Sequence, residues 1–588
     1  MAMNFKRMVR ICAFIFSAIF LLIGNKVYGQ DKSWLTPFEI DTSHSATPSE
    51  CMAYYERLAA TYSQIQIMPL GATDGGYTLQ TVFCTNEPNM DPIYLHRQGK
   101  AIILINNAIH PGEPEGVDAT MMLFRDLMQN PELKSLLDRV VFVCIPMYNL
   151  GGANNRNKYS RASQNGPDEY GFRGNAKNYD LNRDCIKTDT REARLFNQLI
   201  TWLDPDLLVD NHTSNGADYQ HTMTLLATQA DKLGGESGKF LRDKMLPEVY
   251  SAMKKKHWDM VPYINVHGTN VSEIPSFIDD PRYTSGYAAL HQIIGLVPET
   301  HMLKPFPQRV KSTYDLMVVL GEFLYKSGNK IRNIKAIDRL NIANAEQFPI
   351  RWASDRTRSE KVHFKGYESE MLKSGVSGKE RMFFDRSKPF EKDIPFYSYC
   401  IASDTVQKPK AYIIPQAWED VIRRLEWNGV AMEVLQKDTI MTLSAYFIKQ
   451  YQSSPSPYEG HYLHYGVVAD KKEIRVACRK GDFYIPCNQS KNRYIIETLE
   501  PNAPDAFFAW NYFDSILMQK EGYSAYVFED QAAKMLENDP ELKAAFEKAK
   551  STDNALNSSG EAQLDWVYKH SPYYEPSHNR YPVYRLEF

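Results

Sequence analysis

The stretch Ala101–Asp118, AIILINNAIHPGEPEGVD, decides how this chain is read. Its opening run, AIILI, has the composition of a strand buried on both faces. The run empties into a turn carrying His110 and Glu113, an imidazole and a carboxylate held close together, and both are good zinc ligands. Of the 14 histidines, His110 alone is followed three residues later by Glu. Immediately downstream, DATMMLFRDLMQ has helical spacing of apolar residues, and VVFVCIP (140–146) is a second apolar strand.

Working outward, the same texture repeats. Ser49 to Ile65 is helical in pattern, and MPLGATDGGYTLQTVFC reads as a strand pair around a Gly75-Gly76 turn. The long segment from Tyr148 to Asp184 is rich in Asn, Gly and Arg and far exceeds what a connection needs, which makes it a candidate functional segment. REARLFNQLITWL (191–203) is an amphipathic helix, DLLVD (206–210) a buried strand, residues 238–256 a helix, and IIGLVPE (293–299) another apolar run. The helical TYDLMVVLGEFLYKS (313–327) closes the series. Strands alternating with helices predict an α/β fold with a mixed, largely parallel sheet flanked by helices. Beyond Asn329 the pattern turns strand-rich. The expected division is a signal peptide (1–29), a catalytic domain (30–329), a small β-rich unit of short strands (330–400) and an α+β C-terminal domain (401–588).

With 588 residues, 43% hydrophobic and 24% charged, the chain can build several packed cores. A formal charge of −3 leaves no electrostatic footprint for nucleic acid and no polybasic membrane patch. Lys6, Arg7 and Arg10 precede the apolar ICAFIFSAIFLLIG, which is signal-peptide length and short of the ~20 residues of a membrane span. Cleavage before Gln30 is expected, giving an exported protein, periplasmic or secreted, without a membrane anchor. Cys12 leaves with the signal, and Cys478 and Cys487, flanking a short strand-like segment, are candidates to pair.

Three apolar runs end in chemically distinctive residues: AIILI before His110 and Glu113, DLLVDN before His212, and IIGLVP before Glu299. In open α/β sheets, ligands gather beyond the carboxyl ends of the strands, so these side chains can converge. Two His and one Glu, with a position left to water, are the donor set of a catalytic zinc site. A further carboxylate beside that water serves as general base. In the charged loop, Asn182 and Arg183 of YDLNR suit bidentate capture of a carboxylate, and an additional Arg such as Arg161 can stabilise an oxyanion. Asp180 can accept the free N–H of a zinc-bound His.

Together HPGE (110–113), DLNRD (180–184), VDNH (209–212) and PETH (298–301) resemble the zinc metallocarboxypeptidases, the carboxypeptidase A-like family, in the family's order, over roughly Ser49 to Ser327. The resemblance implies one Zn2+ per chain held by His110, Glu113 and His212, with Glu299 as base. It implies Asn182 and Arg183 as anchors for the substrate's terminal carboxylate, and Arg161, with Arg156 behind it, as the oxyanion-stabilising Arg. It also implies a Tyr over the substrate, for which Tyr283 and Tyr287 both qualify and Tyr287 is preferred. His221 and His301 are read as structural or as supports behind the site residues.

The function expected is therefore an exported zinc carboxypeptidase acting on peptide or protein C-termini. The alternatives are a zinc amidohydrolase acting on cell-wall peptides or N-acyl amino acids, and a non-catalytic binding protein on a peptidase scaffold.

Overall fold

A computed structural model describes residues 32–267 and 270–588. The leader on which the signal-peptide reading rests lies outside the described residues. The first sheet has nine strands: β1 (Ile65–Ala72), β2 (Thr78–Cys84), β3 (Ala101–Asn106), β4 (Val140–Ile145), β5 (Leu207–Asp210), β6 (His212–Ser214), β7 (Met223–Ala227), β8 (Val261–Pro262) and β9 (Ile294–His301). They run in the order β1-β2-β4-β3-β5-β9-β7-β8, with β6 also on β9. The centre, β4-β3-β5-β9, is parallel, while β1, β2 and β7 join antiparallel. The sheet is thus mixed and largely parallel, as the alternating pattern required.

Every residue of β3 and β4 is buried, because helices cover both faces. Alternate side chains divide accordingly. Ile103 and Ile105 enter a core shared with the helices Pro48–Thr61, Glu115–Gln129 and Phe306–Asn344. Ile102 and Leu104 enter the opposite core, beside the helix Arg191–Leu203. Each such side chain contributes about 1.5–3 kcal/mol on leaving water. The helix Phe306–Asn344 has 39 residues and passes beyond Asn329 without a break.

Downstream, β10 (Gln347–Ser354) pairs with β13 (Cys400–Gln407). The strands β11 (Glu360–Lys373) and β12 (Glu380–Phe396) form a hairpin of long strands where short ones were expected. Much of it is exposed, so polar residues, Gly366 and Pro389 interrupt the pattern that would have revealed its length. The last sheet has the order β15-β18-β14-β19-β16-β17, with β14 (Ala411–Ile414), β15 (Glu433–Val434), β16 (Thr439–Ser453), β17 (His464–Cys478), β18 (Phe483–Pro486) and β19 (Tyr584–Leu586). Cys478 and Cys487 do not pair: all seven cysteines among the described residues are free and buried. Cys478 packs with Ile413 on one face of this sheet, while Cys487 packs with Tyr412 and Ile414 on the other. A disulfide cannot reach through a sheet. Tyr412, Ile495 and Trp510 continue the core that begins at Ile102 and Leu104, so the C-terminal region packs against the first sheet.

Candidate metal and carboxylate-binding site

Neighbouring strands deliver the site. At the end of β3 the chain leaves the sheet through Ala108, with φ of 56°, and folds into a turn closed by the Glu113 N–H on the His110 carbonyl at 2.9 Å. The turn feeds directly into the helix Glu115–Gln129. His212 opens β6 and lies in register with Glu299 on β9. Asn211 ties this break to the first strand: its N–H donates to the Asn106 carbonyl at 3.1 Å and its amide to Asn107 Oδ1 at 2.7 Å.

His110, Glu113 and His212 are all buried, and one ligand atom from each falls within 4.8 Å of the others. His110 Nδ1 lies 3.2 Å from Glu113 Oε1, and His212 Nδ1 lies 3.0 Å from Glu113 Oε2. Their far nitrogens are already engaged: Nε2 of His110 with Asp180 Oδ1 at 2.9 Å, and Nε2 of His212 with Asp210 Oδ2 at 3.0 Å. Carboxylates behind both rings fix the tautomer that leaves Nδ1 free to ligate. His110 Nδ1 is buried without a hydrogen-bond partner, which fits a nitrogen awaiting a metal. Two imidazoles and a carboxylate so placed could hold a metal ion.

The charged groups around the three residues shift one another. Burial opposes ionisation of Glu113, but Arg161 and His110 hold its carboxyl well below the usual range. Burial would likewise lower His212, yet Asp210 and Glu113 hold its imidazole well above the ordinary value. Asp180 is held low against burial by His110, Arg173 and Arg183. Glu299 behaves in the opposite way. Burial pushes it up to about 8, with His212 pulling down and the charge of Glu113 adding to the rise.

Around these groups is a cavity of about 470 Å3 lined by His110, Glu113, Arg161, Arg173, Asn182, Arg183, His212, Tyr283 and Glu299, among others. Arg161 meets Glu113 Oε1, and Gly112 permits that approach, since a Cβ there would stand 2.6 Å from Arg161 Nε. Asp180 caps the turn Leu181–Arg183 by accepting the Asn182 N–H at 2.9 Å. Asn182 Oδ1 accepts from the Thr284 backbone N–H at 3.4 Å, leaving its amide nitrogen as the donor end. Arg183 lies over the Tyr283 ring, 4.6 Å from its centroid.

Tyr287 does not line this cavity, contrary to the preference for it over Tyr283. It is fully buried one helical turn further on, between Phe196 and His291, with its hydroxyl donating to Asn428. Arg156 also stays away, bound to the carbonyls of Ser45 and Glu169. His221 and His301 are engaged with the carbonyls of Asp259 and Ala217, as structural histidines would be. Two participants were not anticipated. Arg173 lines the cavity and holds Asp180 at 2.9 Å. Asp210 binds both His212 and the Thr284 hydroxyl, the latter at 2.6 Å. For Asp210 a signal existed, its place just before Asn211-His212, but nothing in the sequence set Arg173 apart from the other arginines of its loop.

Several known proteins are similar to this chain. Residues 51–332 match the family model described as zinc carboxypeptidase. Carboxypeptidase 2 of Trichophyton rubrum is 22% identical over 430 residues, covering 69% of this chain and 73% of that protein. Probable carboxypeptidase 2 of Arthroderma benhamiae is 21% identical over 427 residues, covering 70% and 73%. Among solved structures, a metallo-carboxypeptidase from Burkholderia cenocepacia superposes with a TM-score of 0.36 at 16% identity, covering 48% of this chain and 70% of that one. One from Pseudomonas aeruginosa gives 0.37 at 14% identity, with the same coverage.

Proposed function

Since residues 51–332 belong to the zinc carboxypeptidase family, we propose that this chain is an exported exopeptidase that releases residues from the C-termini of peptides. The observation that carries the proposal is one cavity lined both by His110, Glu113 and His212, which could hold a metal ion, and by Asn182 and Arg183. The leader supports export: three basic residues precede an apolar segment of signal-peptide length. Among the described residues no helix is long and apolar enough to cross a membrane.

Zinc held by His110, Glu113 and His212 would act as a Lewis acid, polarising the scissile carbonyl and acidifying water at neutral pH. Arg183 and Asn182 bind the terminal carboxylate of the peptide, which sets the bond to be cut one residue from the end. Glu299 accepts the proton of the attacking water and passes it to the leaving amine, so the proton that leaves the nucleophile returns on the product. Arg161 and Arg173 offer guanidinium donors where charge develops on the carbonyl oxygen. Tyr283, held against Arg183, covers the anchored residue.

The test is hydrolysis of N-blocked dipeptides with free C-termini, before and after a chelator and after zinc add-back. Release of the terminal amino acid, lost with chelator and restored by zinc, is expected. C-terminally amidated versions should not be cut. Activity confined to muropeptides or N-acyl amino acids would replace this reading with an amidohydrolase. Full activity after exhaustive chelation would end the zinc reading.

A further inference from the structure

The carboxylate anchor is not held in place by the first sheet alone. The segment 179–189, which carries Asn182 and Arg183, is bound by side chains from the C-terminal region. Glu459 Oε2 accepts the Asp180 backbone N–H at 2.8 Å. His461 Nε2 meets Asp189 Oδ2 at 2.7 Å, and the Tyr512 hydroxyl donates to the Lys187 carbonyl at 2.6 Å. Arg424 donates from Nε to that same carbonyl at 2.6 Å and from Nη2 to the Thr188 carbonyl at 3.2 Å.

The segment that carries Tyr283 is bound by the same region. Asp505 accepts the Arg282 backbone N–H at 2.8 Å and its guanidinium Nε at 3.0 Å. The Arg282 guanidinium lies 5.2 Å from the Trp510 ring and 5.6 Å from the Tyr458 ring. Tyr458, Glu459, Gly460 and His461 form one turn, closed by paired backbone hydrogen bonds between Tyr458 and His461. That turn reaches both halves of the anchor.

Two local features suit the turn to this task. Glu459 has φ of 50°, a conformation non-glycine residues adopt only where the surroundings hold them in it. Gly460, with φ of 81°, lies so close to Tyr179 that a Cβ would stand 2.4 Å from its hydroxyl oxygen. The turn is thus pressed against the residues preceding Asp180.

We propose that Glu459 is a positioning residue for the carboxylate anchor. By accepting the Asp180 N–H, it fixes the start of the turn Leu181–Arg183, so that Asn182 and Arg183 are oriented before the peptide arrives. Orientation errors of about 1 Å at a binding group are enough to lose large factors in rate. The C-terminal region then contributes to recognition of the free C-terminus, without touching the peptide. The inference rests on the reading of Arg183 as the anchor.

The experiment is a double-mutant cycle on the full-length, zinc-loaded chain, using N-blocked dipeptides. Glu459→Ala should raise KM about tenfold, with kcat changed less than about twofold and zinc content unchanged. Glu459→Gln keeps an oxygen acceptor and should restore KM. Glu459→Asp, shorter by one methylene, should not. Arg183→Ala should raise KM by itself, and the double variant Arg183→Ala/Glu459→Ala should be no worse than Arg183→Ala, because the anchor to be positioned is gone. If Arg183→Ala raises KM while Glu459→Ala and Glu459→Asp leave it unchanged, or if the effects of Arg183→Ala and Glu459→Ala multiply, the positioning role is overturned and the anchor stands. If Arg183→Ala itself leaves KM unchanged, the anchor reading fails, and the positioning role with it.

Discussion

His212 and Glu299 are register partners on adjacent parallel strands, β6 and β9, one offering a nitrogen to the metal site and the other a carboxylate to the same cavity. Neighbouring strands are about 4.8 Å apart, so the relationship fixes the two side chains at a separation that a water can span. Glu299 is half-buried on the cavity wall, and desolvation pushes it to about 8, a range suited to a group that must both take and give up a proton near neutrality.

Replacing Glu299 with Gln keeps the shape and removes the proton acceptor. Turnover of N-blocked dipeptides should fall by about 10³-fold or more, the upper part of the range for loss of a general base. Zinc content, measured by elemental analysis, should stay at one per chain, because Glu299 is outside the donor set. Wild-type turnover in the variant would remove Glu299 from the mechanism.

Asp210 should govern metal affinity without touching the metal. Its Oδ2 holds His212 Nε2 at 3.0 Å and receives the Thr284 hydroxyl at 2.6 Å, while its Oδ1 takes the Asn106 amide at 2.9 Å. Asp210→Asn weakens the acceptor that sets the His212 tautomer. Zinc affinity, measured by competition with a chromophoric chelator, should drop about 10–100-fold. An unchanged affinity would mean that ring orientation is set elsewhere.

Much of the site was legible because apolar strands announce where they end. AIILI, DLLVD and IIGLVP each point to a chemically marked residue, and parallel pairing of β3, β5 and β9 brings those ends together. The preference for Tyr287 over Tyr283 failed because what separates them is contact with Asn428, more than a hundred residues away. The role of Asp210 depends on the break between β5 and β6 at Asn211, which an alternating pattern does not show. The β11–β12 hairpin exposes much of both faces, so its strands carry no continuous apolar signal. Cys478 and Cys487 are near in sequence but on opposite faces of one sheet, and only the strand order reveals it.

Asp118, on the helix that follows the metal-binding turn, should make the fold sensitive to pH in a direction opposite to that of most carboxylates. It is fully buried. Its Oδ1 accepts the Ala46 N–H at 3.1 Å, and its Oδ2 has no hydrogen-bond partner. Burial pushes it up to about 8, with the Ala46 N–H opposing and the charge of Glu115 reinforcing the rise. In the unfolded chain the group ionises near ~3.9. A pKa raised by folding means that the native state keeps a proton the unfolded chain releases. The associated stability is fully present below ~4 and is lost as pH rises through about 8. Asp118→Asn retains an oxygen for Ala46 and never ionises, so it deletes this slope. Thermal midpoints measured from pH 5 to 8 should therefore fall more steeply for the wild-type chain than for Asp118→Asn, with the variant the more stable at the alkaline end. Parallel curves would show that Asp118 is ionised in the folded protein, and that Arg156, whose charge opposes the rise, outweighs burial there.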